Sequence, residues 1–256
     1  MKSRRIEMLY LIKQEMFKNY HKKSTFVSMI IQVLFMLSMA VLSLKYSNVF
    51  NGKSLFMENY NATLWIVFAL IFLASNIFLN EYKYGTIKLL ISKEFSRTQI
   101  YFSKVIFVFI QSIILYLLAI VMTFIINFIF TRVAITSADM KTFFINIICE
   151  FFSTWLIVSL CFLLASIFRS SGLSITISII LYFSASIAAN LMFMLIASNK
   201  LLRFNPINML NITNQAGSST YGHLTLLPMY AYFIWIPIYV IIFMLIGNYI
   251  FVQRNK

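Results

Sequence analysis

The sequence predicts an all-α integral membrane protein with six transmembrane helices, and three observations carry that prediction. Of its 256 residues, 61% are hydrophobic and 11% charged, where a soluble domain carries about a quarter charged residues; the mean hydropathy is +0.86. Several uncharged or nearly uncharged stretches reach the length of about 20 residues that a helix needs to cross the hydrocarbon core. These stretches are continuously apolar rather than alternating. Since only helices and closed barrels satisfy their backbone in lipid, continuity selects helices. A net charge of +14 would suggest nucleic acid for a soluble protein. Here the basic residues lie mainly between the apolar stretches, so they are read as topology signals and contacts to anionic lipid, and nucleic acid is not an expected partner.

Residues 1–24 come first. Ile6, Leu9, Tyr10, Ile12, Met16, Phe17 and Tyr20 fall on one arc of a helical wheel, with Glu7, Gln14, Glu15 and Lys18 opposite, which predicts an N-terminal interfacial helix on the inner leaflet. More than twenty polar and amphipathic residues before the first apolar run do not fit a signal peptide. The six spans are read as Thr25–Leu44, Ala62–Leu79, Val105–Phe130, Phe143–Phe168, Leu173–Ala197 and Ala231–Phe251. With the N-terminus inside, 15 of the 21 Lys and Arg face the cytoplasm, so both termini are expected there. The 198–230 segment is too long for a bare turn. Asn205-Pro206 supplies a start and Ala216-Gly217 a stop for a short external helix before span six. Its polar arc (Asn208, Asn211, Asn214, Gln215) and apolar arc (Met209, Leu210, Ile212) predict that it rests on the outer leaflet or dips into it. Neither an internal repeat nor a low-complexity linker divides the chain, so residues 1–256 form a single transmembrane domain.

The most informative stretch is the cytoplasmic loop of residues 80–104. It is charged and interrupted by Gly85, yet it holds a short apolar run of Ile87, Leu89, Leu90 and Ile91. Such a run on an exposed loop calls for a cover. Attraction of Lys83, Lys88, Lys93 and Arg97 to anionic lipid, with Gly85-Thr86 capping a juxtamembrane helix, accounts for the charges but not for the apolar residues beside them.

This loop resembles that of the permease family of type-two ABC exporters. Members carry an acidic residue shortly before Gly-Thr, then a Leu-Leu pair, then Ser-Arg and a lysine opening the next span. Glu81, Gly85, Thr86, Leu89, Leu90, Ser96, Arg97 and Lys104 match; where the family usually has proline this chain has Glu94 or Phe95. The motif covers about 25 residues, while the resemblance in topology covers the whole chain. It implies a coupling helix, with Glu81, Gly85, Thr86, Ile87, Leu89, Leu90 and Arg97 as the residues that engage a cytoplasmic ABC ATPase subunit. It also implies pairing with a second permease subunit, as a homodimer or a heterodimer. ATP and magnesium would be bound by the ATPase, with no cofactor in this chain, and the cargo would be amphipathic or hydrophobic, peptide export being the favoured kind.

Other chemistry has little support. Gly52-Lys53-Ser54 imitates the end of a phosphate-binding loop, but Ser47 stands where the first glycine is needed; the chain is not expected to be an enzyme by itself. His21 and His223 fall on opposite sides of the membrane, and Cys149 and Cys161, twelve residues apart in one span, point about 120° apart, so neither pair builds a metal site. Glu150 is the one acid within a predicted span. Asn146, Ser153 and Thr154 share its helix face, forming a polar stripe over the outer half of span four. This stripe either lines a substrate pathway or holds the bundle together by interhelical hydrogen bonds. Asn76 and Gln111, isolated polar residues in spans two and three, are further pathway candidates. Small residues four apart in span five (Ser174 and Ser178, Ala185 and Ala189) permit close helix packing, within the chain or against a second subunit. Two rival functions need no ATPase. One is a peptide-binding sensing or immunity protein using residues 198–230 and Glu150; the other is an ion-coupled transporter with Glu150 as proton carrier.

Overall fold

A computed structural model of the chain describes residues 2–83, 95–168, 170–218 and 220–254; the side chains of residues 2–7, 82 and 83 are outside the description. Among the described residues the fold is helical throughout, with no strand. Helix α1 (Lys2–Tyr20) precedes six helices long and apolar enough to cross a membrane. These are α2 (Lys23–Lys45), α4 (Ala62–Lys83), α5 (Arg97–Ile126), α6 (Ser137–Ile167), α7 (Ser171–Ser198) and α10 (Met229–Arg254). The six predicted spans are all present, and most extend by several residues at one or both ends. The reason is capping: Ser96 and Thr136 each form a capping box with the residue three positions on, Gln99 and Asp139, so α5 and α6 start well before their apolar stretches.

The helices are not equivalent. α6 is the central post, packed along α10 on one side and α4 on the other, while α5 lies against α4 and carries α1, and α7 leans on α4. More than half of the most apolar segment of α4 and of α6 is buried inside the protein, whereas α2, α7 and α10 bury under a quarter of theirs. The core is aromatic. Phe78, Tyr101, Phe162 and Phe251 stack where α4, α5, α6 and α10 meet, and Gly247 lets α10 come close enough that a Cβ there would lie 2.5 Å from the Tyr101 hydroxyl.

Both ends of the bundle carry side-chain ties between its elements. At one end, which carries α1 and the α4 to α5 connection and is here called the basic end, Arg97 donates to the Val252 carbonyl at 3.1 Å. Arg254 donates there to the carbonyls of Phe168 and Ser166, closing the C-terminus of α6. At the opposite end the short helix α3 (Gly52–Met57) is capped by Asn51, and Lys53 of the Gly-Lys-Ser triplet pairs with Asp139 at 2.9 Å. There follows a left-handed turn, Asn59-Tyr60-Asn61, with φ of 56°, 47° and 57°. Thr123 donates to Asn59 Oδ1, and the Tyr60 hydroxyl shares a hydrogen bond with Thr131.

One amphipathic segment orients differently from its sequence expectation. The helix expected within residues 198–230 forms as a 3₁₀ turn (Asn208–Asn211) running into α8 (Ile212–Gly217), before the short α9 (Tyr221–Thr225). Its polar arc is packed into the protein as well as its apolar arc, where Met209 and Ile212 are fully buried. Asn208 and Asn211 are fully buried, donating to the carbonyls of Arg203, Thr225 and Ala189, while Gln215 accepts from Thr225 and Tyr232. An irregular segment that packs on a helical bundle must satisfy its own and its neighbours' stranded carbonyls, and the asparagines do so. In α1 the apolar Leu9, Tyr10 and Phe17 are uncovered, as a helix lying on a leaflet requires, and Glu15, Lys18 and Asn19 face the bundle.

Candidate functional site

At the basic end, four charges from three helices close a ring. Lys104 Nζ, almost wholly buried, donates to Glu15 Oε1 and to Glu81 Oε1, each at 3.0 Å. Lys18 Nζ reaches the same two oxygens at 3.5 and 3.2 Å. Signs alternate around the ring, so each carboxylate oxygen receives two ammonium groups and the net charge is zero. Burying an ion costs several kcal/mol unless paired and hydrogen-bonded, roughly 3–5 kcal/mol when one partner of a buried pair is lost. The ring meets that condition. For Lys18 burial pulls the ammonium down, but Glu15 and Glu81 together outweigh it and hold it above its ordinary value.

The placement matters as much as the pairing. Glu81 stands near the end of α4 and Lys104 two turns into α5, so the ring fastens together the two helices that enter and leave the 84–94 segment. Glu15 and Lys18 fasten α1 onto both. Phe95, where the chain re-enters the described residues, stacks on Tyr10 of α1 with ring centroids 6.5 Å apart. Of the residues expected to engage an ATPase, Glu81 and Arg97 therefore anchor the connection, while Gly85, Thr86, Ile87, Leu89 and Leu90 lie outside the described residues.

A cavity of about 540 Å³ opens beside the ring, within the usual size of a small-ligand site. Glu15, Lys18 and Glu81 form its polar wall together with Lys22, Asn19 and Asn80; Phe68, Phe72, Leu73 and Ile179 are among its apolar lining. The pathway candidates divide here. Asn76 and Gln111 line the cavity, and Glu150, Asn146 and Thr154 do not. Those three bind across helices instead. Glu150 accepts from Thr63 at the start of α4, Asn146 donates to the Met57 carbonyl at the end of α3, and Thr154 shares a hydrogen bond with Tyr116 of α5. Sequence reasoning assigned no site role to Glu15, Lys18 or Lys22, and named Lys104 only as a match to the loop motif. The available signal was the pair of unlike charges a turn apart on the polar arc of α1, matching the pair flanking the loop.

Residues 11–186 match the family described as ABC-2 family transporter protein. The chain belongs to that family. The match takes in α1 from Leu11, the charge ring and four of the membrane helices with most of a fifth. The protein is also similar to a membrane protein of Bacillus subtilis (strain 168), YdbK, described as uncharacterized: 26% of residues are identical over 248 positions, covering 93% of this chain and 98% of that protein. Family and fold together make the chain a multi-pass membrane component of an ABC transporter, its permease rather than its catalytic domain.

Proposed function

We propose that this permease exports an amphipathic or hydrophobic cargo, first of all a peptide, and that it is driven by separate cytoplasmic ATPase subunits bound at the connection between α4 and α5. The reading rests on one observation: the two helices flanking that connection, and the α1 helix beside them, are tied into one unit by the buried ring of Glu15, Lys18, Glu81 and Lys104. A force applied to the connection then reaches α4, α5 and α1 together, and a partner that contacts it differently in its ATP-bound and ATP-free states shifts the transporter between conformations. The basic end is taken as cytoplasmic from the excess of Lys and Arg there. Two permease subunits would enclose the pathway, and ATP and magnesium would be held by the partner. Family membership weighs against a lone sensing or immunity protein and against an ion-coupled transporter. The apolar Ile87, Leu89 and Leu90 are the contacts assigned to the ATPase, with Gly85 and Thr86 shaping their segment.

The test is co-purification from gentle detergent followed by transport in vesicles. A stoichiometric ATPase should accompany the wild-type chain. Leu89→Glu and Leu90→Glu should insert normally yet lose both the partner and its stimulated hydrolysis. Normal ATP-driven transport by those variants would refute the docking assignment.

A further inference from the structure

We infer that the cavity beside the charge ring is a binding site for an anionic phospholipid, taken from the membrane leaflet at the basic end of the bundle. Its two ends differ in the way a lipid differs. The apolar part is walled by α4 and α7 side chains such as Phe68, Phe72, Leu73 and Ile179. Its apolar wall reaches the sides of the bundle: Val27, Ile31 and Phe72 on it are 50%, 36% and 59% exposed on helices that cross the membrane. Acyl chains can therefore enter from the hydrocarbon layer and continue out along the same surface.

The polar part selects the charge of the headgroup. Glu15 and Glu81 are each engaged by both Lys18 and Lys104, so the ring contributes no net charge to the cavity. Lys22 remains. It lines the cavity, and no carboxylate among the described residues lies within ion-pair distance of it. Lys22 is also the residue at which α2 begins, in extended conformation and with no side chain capping the helix. The 23-residue α2 thus starts at the cavity, with Lys22, Ser24 and Thr25 all on its wall. Ammonium and helix N-terminus together make a phosphate site, placed where a headgroup sits when its chains lie among Phe68, Phe72 and Ile179. A peptide carboxylate could meet the same charge, but the apolar wall that reaches the sides of the bundle favours the phospholipid. The inference concerns binding and holds whether or not an ATPase drives the chain.

Trp65 lines the cavity, its indole N–H held by the Ser28 carbonyl at 2.9 Å, and supplies the probe. In the full chain carrying Trp155→Phe and Trp235→Phe, fluorescence of Trp65 is measured in bilayers containing brominated phosphatidylglycerol or, at equal mole fraction, brominated phosphatidylcholine. One unpaired lysine is worth about 1 kcal/mol toward an anionic lipid, so phosphatidylglycerol should associate about fivefold more strongly. Lys22→Gln, an exposed substitution that leaves the ring intact, should bring the ratio to about one. Ala69→Phe, which fills the apolar part, should reduce quenching by both lipids. The inference is overturned by equal quenching in the parent chain or by a preference that survives Lys22→Gln. It is overturned equally if millimolar inorganic phosphate abolishes the preference, which would make the site one for free anions, or if an amphipathic peptide but neither lipid displaces the quencher.

Discussion

A lysine at the start of a membrane helix is usually read as a snorkelling or topological residue, and Lys104 is neither. With two carboxylates at 3.0 Å and almost no exposure, it neutralises Glu15 and Glu81, which are themselves nearly buried. Lys104→Met should therefore be far more damaging than its conservative volume suggests, lowering stability by about 3–5 kcal/mol because two acids are left against one partly exposed lysine. Replacing all four members by residues of similar shape (Glu15→Gln, Lys18→Met, Glu81→Gln, Lys104→Met) should cost less than the single change. Thermal unfolding of the detergent-solubilised protein checks both. The turn at Asn59-Tyr60-Asn61 is a second residue-scale case. Left-handed backbone costs an L-residue roughly 1–2 kcal/mol, and glycine avoids that cost. Asn61→Gly should raise the melting temperature, by about 2 °C or more for a chain of this size. Asn59→Gly should not, since it also removes the acceptor for Thr123.

Among the elements, α10 has the least freedom where it crosses α5 and α6. A Cβ at Gly247 would sit 2.5 Å from the Tyr101 hydroxyl and 3.4 Å from the Leu163 backbone, and Tyr101 cannot retreat because Phe78 and Phe251 flank it. Gly247→Val should destabilise by about 1–3 kcal/mol through overpacking, seen as a lower melting temperature and poorer yield from membranes. Nothing in the sequence marked this glycine, because close approach depends on what lies across from it. The spans themselves were legible, since lipid leaves a continuous apolar run few alternatives. Amphipathic segments were legible as helices, but not in what their polar arcs would meet. In residues 208–217 the polar arc is buried along with the apolar one, because stranded carbonyls need those side chains more than solvent does; in α1 buried ions hold the polar arc to the bundle and leave the apolar arc free for the leaflet. The ring was half visible: Glu81 and Lys104 stood out in the loop motif, whereas Glu15 and Lys18 read as the wet face of a surface helix. The polar stripe around Glu150 was legible as a stripe; its partners Thr63, Met57 and Tyr116, on other elements, were not.

For the whole molecule, the two least buried membrane helices, α7 and α10, expose different surfaces, and the difference indicates where a second subunit would sit. The outward face of α10 is apolar, with Ile234, Ile241 and Leu245 uncovered, as suits lipid. That of α7 is mixed: Ile180 and Ile187 are uncovered, but so are Thr176, Ser184 and Asn190. Polar side chains facing hydrocarbon are costly, and within membranes they are found against other helices or a water-filled path. If two permease subunits pair as proposed, these exposed polar residues would put α7 toward the second copy in a homodimer, and toward the pathway between them. A single cysteine at Ser184 should form an oxidatively cross-linked dimer in native membranes, while one at Ile241 on α10 should stay monomeric. The native Cys149 and Cys161 are both buried and should stay out of the reaction. Cross-linking at Ile241 but not at Ser184 would exchange the two assignments. Cross-linking at neither, with an intact complex on a sizing column, would mean that α7 meets a different permease chain, whose cysteine-substituted partner face should then capture the Ser184→Cys variant.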